Sequence, residues 1–166
     1  MKNTFHKTLF SALFVLAMTP AFSQFSGGLD LGIPSGDWSS GWGAGFGLSA
    51  RYEAPIQSKL NWTASLGFLS FSGKTYNFGF GSAKFPSETI VPLTGGLKYY
   101  FQKSNSGVYG GADIGLFFGN NNAGTKFGFS PGLGYRLQKF DFAFRYNLVT
   151  DLSYWGIRAA YIFPGK

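Results

Sequence analysis

The chain has 166 residues, a length that fits one domain. Aromatic residues make up 20% and charged residues only 13%, against about 25% charged in a typical soluble domain. Cysteine is absent and the only histidine is His6. A disulfide scaffold is therefore excluded, as are thiolate metal sites and cysteine nucleophiles.

Residues 1–23 read as a secretory signal. Lys2, His6 and Lys7 form a basic start, and Leu9 to Met18 an apolar run of about ten residues, too short for a membrane helix. Ala21-Phe22-Ser23 places small residues at −3 and −1, so cleavage is expected before Gln24 and the domain covers residues 24–166. Losing Lys2 and Lys7 leaves 12 basic and 7 acidic residues, a net +5. It also removes His6, so a Ser-His-acid triad is not expected. No clustered basic patch accompanies the positive charge, which argues against nucleic-acid binding. No metal site or cofactor is expected.

Period-two alternation predicts eight strands. They fall at about residues 25–33, 42–53, from 60 onward, 89–101, 108–118, 126–137, 140–148 and 154–163. The glycines Gly27, Gly28 and Gly32 make the first the least clearly patterned. The last is the clearest: Trp155, Ile157, Ala159, Tyr161 and Phe163 alternate with Tyr154, Gly156, Arg158, Ala160 and Ile162. The connections alternate in length. Those at 54–59, 102–106 and 138–139 are short, while those at 34–41, 73–88, 119–125 and 149–153 are mostly longer and rich in Gly, Asn, Ser and Asp. Short periplasmic turns and longer outer loops with an even strand number describe an outer-membrane barrel with both ends in the periplasm. The predicted fold class is all-β: an eight-stranded antiparallel transmembrane up-and-down β-barrel.

Alternation does not say which face is inside, and a soluble lipocalin-like barrel is the opposite solution. Volume decides. Eight strands enclose only enough room for small side chains or one small ligand. The face carrying Trp, Phe, Leu and Tyr in every strand is too bulky for that space, so it is assigned to lipid.

The other face then carries nine charges: Asp30, Glu53, Asp113 and Asp141 against Arg51, Lys98, Arg136, Arg145 and Arg158. Charges in a narrow lumen are costly unless paired. A paired polar plug is the first reading, with Asn61, Tyr109 and Asn147 as further hydrogen-bonding groups. A selective passage or ligand site is the second, and an Asp113–Asp141 catalytic pair the third. The Gly-rich 43–47 segment lies within a strand and opens no helix, so it is not a phosphate loop.

The third strand has no clean end. Its even parity runs on through Ser70, Ser72, Lys74, Tyr76, Phe78 and Phe80, and a turn at 81–84 would lead back through Phe85. This predicts an extended hairpin beyond the bilayer, whose edge and aromatics Tyr76, Phe78, Phe80 and Phe85 would meet a partner. The alternative places Tyr76 and Phe78 in the outer aromatic girdle.

In strand count, leader and the terminal Tyr161-Ile162-Phe163, the chain resembles small eight-stranded bacterial outer-membrane barrels. It looks closest to the outer-membrane β-barrel domain family common in Bacteroidetes, and is more distantly similar to outer-membrane proteins X and A. The resemblance spans residues 25–163. It implies that Tyr161 and Phe163 are read by the barrel-assembly machinery, although Pro164-Gly165-Lys166 follow the aromatic that often ends such chains. Barrels of this size that modify lipid A or cleave proteins use His with Ser or Asp, so an enzyme is not expected here. The implied partners are outer-membrane lipid, lipopolysaccharide, the assembly machinery and an extracellular protein, with the chain itself a monomer. The expected role is structural or adhesive with a plugged lumen; a narrow porin or small-solute transporter is the alternative.

Overall fold

The computed structural model describes residues 24–79, 81–102, 106–120 and 124–164; the expected leader at 1–23 lies outside them. Among the described residues there are ten strands and one helical turn. They are β1 (Gln24–Pro34), α1 (Trp38–Gly41), β2 (Trp42–Gln57), β3 (Leu60–Gly73), β4 (Thr75–Phe78), β5 (Gly81–Lys84), β6 (Glu88–Tyr100), β7 (Gly107–Gly119), β8 (Thr125–Leu137), β9 (Phe140–Val149) and β10 (Tyr154–Phe163).

Eight strands close a barrel in the order β1-β10-β9-β8-β7-β6-β3-β2, and β4 and β5 form a separate two-stranded sheet. Every ladder is antiparallel, so the eight-stranded up-and-down fold class stands. Closure runs from Phe25 opposite Phe163 to Pro34 opposite Tyr154. This seam uses the glycine-diluted first strand, which is continuous over 11 residues.

Alternation fixes the faces. Along β10, even positions are buried and odd ones exposed over the whole strand. Leu29 is 67% and Phe46 69% exposed, so the bulky face is the outer one. Without lipid around it such a surface would be far too apolar to leave bare. The turns at 58–59 and 138–139 lie at the same end as Gln24 and Phe163. The longer connections lie at the other end.

Three details differ from the sequence reading. The second strand continues to Gln57, leaving a turn of only residues 58–59. The 34–41 connection winds into α1 rather than staying irregular. Residues 81–84 form β5 rather than a turn, and pair with β4 from Thr75↔Lys84 to Phe78↔Gly81.

The small residues of the inner face serve as floors for large ones. Gly32 and Gly45 are register partners on β1 and β2. A Cβ at either would lie 2.6 or 2.5 Å from the Phe71 ring of β3. Likewise a Cβ at Gly128 would meet the Phe117 ring at 2.5 Å, and one at Gly134 the Tyr109 ring at 2.2 Å. Close backbone approach is a standard use of glycine within a strand. Gly45→Ala is expected to lower stability by about 1–3 kcal/mol through overpacking, read from urea unfolding of the refolded barrel; an unchanged midpoint would show that Phe71 shifts freely.

Candidate functional site: lumen and outer hairpin

The turn-side half of the lumen holds a four-residue ion cluster drawn from four strands. Glu53 on β2, Lys98 on β6, Arg136 on β8 and Asp141 on β9 meet across the barrel. Lys98 Nζ lies 2.9 Å from Glu53 Oε2 and 2.8 Å from Asp141 Oδ2. Arg136 Nη2 lies 2.6 Å from Glu53 Oε2 and 3.0 Å from Asp141 Oδ2. Each cation thus bridges both carboxylates, and the charges cancel two against two. Asn61 Nδ2 and Tyr100 OH donate to Glu53 Oε1 at 2.6 and 2.9 Å, and Tyr109 OH donates to Asp141 Oδ1 at 2.6 Å. Lys98 Nζ also sits 4.0 Å from the centroid of the Tyr109 ring. All four charged residues are buried. Burial on this scale requires such saturation, because an unpaired ion in a narrow interior is very unfavourable.

A second cluster lies farther from the turns. Arg51 Nη2 pairs with Asp113 Oδ2 at 2.7 Å, and Arg51 Nε donates to Ser65 Oγ at 2.7 Å. Thr63 donates to the other Asp113 oxygen at 2.9 Å. Arg145 reaches Asp30 at 3.3 Å and Asp113 at 3.5 Å. Among the described residues, no carboxylate lies within ion-pair distance of Arg158. Its Nε donates to Ser49 Oγ at 2.8 Å, and its Nη2 to Ser26 Oγ at 3.2 Å. Ser49 in turn donates to Asp30. All nine charges named from the sequence therefore point inward, but in two separate groups. Asp113 and Asp141 belong to different groups, each engaged by cations. Asn147 accepts from Ser130 at 2.8 Å rather than from a charged member of either group.

Beyond the second cluster the lumen is not small and polar. Trp38, Leu69, Phe71, Ile90, Phe117, Val149, Leu152 and Tyr154 form a buried apolar layer at the loop end. Phe71 lies at its centre, 4.5 Å from Trp38 and 5.4 Å from Tyr154 between ring centroids. Trp38 comes from α1 and Leu152 from the 150–153 loop, so two outer loops fold their side chains into the mouth. Hydrogen bonds from Ser35 N and Oγ to Ser153 O, at 2.9 and 3.0 Å, join those loops. The inner face, largely Gly, Ser and Ala by sequence parity, therefore carries large apolar side chains at this end. The signal for this layer was the odd parity of Leu69 and Phe71, continuing inward from Thr63 and Ser65.

Beyond β3 the chain breaks at Lys74 and forms the β4–β5 hairpin. Its base is tied down: Lys74 N donates to Gly41 O at 2.9 Å, Phe85 N to Lys74 O at 3.0 Å, and Trp42 Nε1 to Pro86 O at 3.1 Å. Phe85 packs on Trp42 at 5.3 Å, so it belongs to the base rather than the tip. The backbones of Tyr76 and Phe78 lie in β4, but their side chains and the whole of Phe80 fall outside the described residues. Asn77, Ser82 and Lys84 are exposed. At the opposite end Tyr161 and Phe163 face outward, 5.5 Å apart between rings, and Phe163 closes the ladder opposite Phe25.

No family profile matches the chain, and no curated protein matches its sequence. Solved structures do match its fold. Ail, the attachment invasion locus protein of Yersinia pestis, aligns with a TM-score of 0.55 at 16% identity over 85% of this chain and 97% of Ail. Ail in complex with the heparin analogue sucrose octasulfate aligns at 0.50 with 17% identity over the same shares. A de novo designed transmembrane β-barrel aligns at 0.52 with 13% identity over 84% of this chain and 95% of the design. At these identities the likeness concerns fold: an eight-stranded barrel of the transmembrane kind.

Proposed function

We propose that this chain is a non-conducting, non-enzymatic outer-membrane barrel that presents the β4–β5 hairpin as a surface for interaction outside the cell. The hairpin is the observation that carries the reading. It is a two-stranded sheet separate from the barrel, anchored at its base, and among the described residues no further strand pairs with either of its outer edges. Ail supports a surface role by analogy, since it shares the fold and is an attachment protein by name. A cleaved leader at residues 1–23, assembly through Tyr161 and Phe163, contact with lipopolysaccharide, a monomeric state and kinship with the Bacteroidetes barrel family belong to the same proposal.

The two ion clusters and the apolar layer support the closed lumen. Two cavities within it, about 30 and 10 Å³, are of water size. In planar bilayers the purified barrel is expected to give no stable conductance; steady single-channel steps would favour the narrow-pore reading instead. Deleting residues 75–84, which spares Phe85, is expected to preserve heat-modifiable gel mobility and outer-membrane fractionation. The same deletion should abolish binding of cells displaying the protein to a heparin-coated surface, chosen because Ail is seen in complex with a heparin analogue. Undiminished binding would remove the hairpin from the function.

A further inference from the structure

The two lumen clusters differ in charge. The turn-side group is balanced, two cations against two carboxylates. The second group has three arginines, Arg51, Arg145 and Arg158, against two carboxylates, Asp30 and Asp113. It therefore carries one uncompensated positive charge. The other buried carboxylate, Glu88, is opposite Phe71 in register, at the level of the apolar layer. It does not line the space around the three arginines.

That space is a cavity of about 30 Å³ between the second cluster and the apolar layer, room for a pair of waters or one halide ion. Arg145 and Arg158 both line it, with Ser49, Ser65, Thr94 and Asn147 as further polar wall. Arg158 is 1% exposed. Its Nη1 and the Nε of Arg145 are buried and make no hydrogen bond within the protein. Two of the arginines that line this cavity thus each keep one guanidinium donor without an acceptor, beside a net positive charge. Phe117, Leu69 and Tyr154 close its loop side.

We propose that this cavity is a structural binding site for a small monovalent anion of halide size, held by the guanidinium groups of Arg145 and Arg158. A halide supplies an acceptor to these guanidinium groups and cancels the excess charge where water screens it poorly. Water would satisfy the donors and leave the charge. Asp30 also lines the cavity, but its oxygens are engaged by Arg145 and Ser49. A larger oxyanion or a sugar sulfate does not fit the volume. The site rests on lumen geometry alone and is independent of what the hairpin binds.

The test uses the folded protein in detergent micelles, refolded and crystallised with sodium bromide. Anomalous scattering is expected to show one bromide within hydrogen-bond reach of the Arg145 and Arg158 guanidinium groups. Bromide peaks at the surface with none in the lumen would overturn the proposal. In solution, chloride or bromide at ten times its dissociation constant is expected to raise the melting midpoint by about 3 °C over gluconate at equal ionic strength. Gluconate is too bulky to enter. Arg158→Gln should erase that difference. Asn147→Asp should erase it too, by placing a carboxylate in the cavity wall with almost no change in shape. A halide dependence that survives in both variants would assign the effect to the surface and overturn the site. The crystallographic arm depends on no variant.

Discussion

Glu53→Ala is expected to lower the unfolding free energy by about 3–5 kcal/mol, the range for removing one partner of a buried ion pair. Glu53 accepts from four groups: Lys98, Arg136, Asn61 and Tyr100. Its removal leaves two buried cations sharing only Asp141, and leaves the Asn61 and Tyr100 donors without their acceptor. Glu53→Gln keeps the shape and one acceptor oxygen but loses the charge, so it should fall between Ala and wild type. Urea unfolding of the refolded barrel, followed by loss of the fast-migrating folded band, reads both. The control is Asp151→Asn. Asp151 pairs with Lys126 at 3.3 Å on the surface, with its side chain 75% exposed, where such pairs contribute about 0–1 kcal/mol. Equal losses for Glu53→Ala and Asp151→Asn would mean that water screens the lumen as it does the surface.

Phe71→Ala is the second large effect, with an expected loss of about 3–5 kcal/mol for a fully buried phenylalanine. The ring is 0% exposed and stands over Gly32 and Gly45 beneath Trp38. No neighbouring side chain rises from those glycines to refill the space. The glycine contact gives an internal check. In the Phe71→Ala background, Gly45→Ala should cost nothing or stabilise, because the atom it would strike is gone. A double-mutant cycle measures this directly, and contacting residues of this kind couple by about 0.5–3 kcal/mol. Additive losses would show that Gly45 is needed for some other reason.

The barrel was legible because alternation is a local property: each strand announces its own faces, and the short and long connections announce the two ends. The sides of Arg51, Asp113 and Arg158 follow from the same parity. Their partners do not. Whether Arg136 meets Glu53 or Asp30 depends on the stagger of strands around the barrel, which no single strand encodes. The apolar layer was missed because Phe71 and Phe117 break the rule that the inner face is small, and the glycines that make room for them lie on other strands. Trp38 was missed for a different reason. It sits in a loop, where periodicity carries no information, and only the fold shows that α1 turns it into the mouth.

The ion clusters also bear on how the chain reaches this state. Glu53 and Arg136 are 83 residues apart, and Asp30 and Arg145 are 115 apart. Along the sheet, β2 and β8 are four ladders apart on one path and four on the other. In an open, half-built sheet Arg136 can meet Asp141 across the β8–β9 ladder, but Glu53 and Arg136, and Asp30 and Arg145, stay apart until β1 meets β10. Folding should therefore be slow and strongly cooperative, as expected when contacts are distant in sequence. Its last step, seam closure, completes both clusters. Partly zipped intermediates gain little from them, and the finished barrel opens as a unit or not at all.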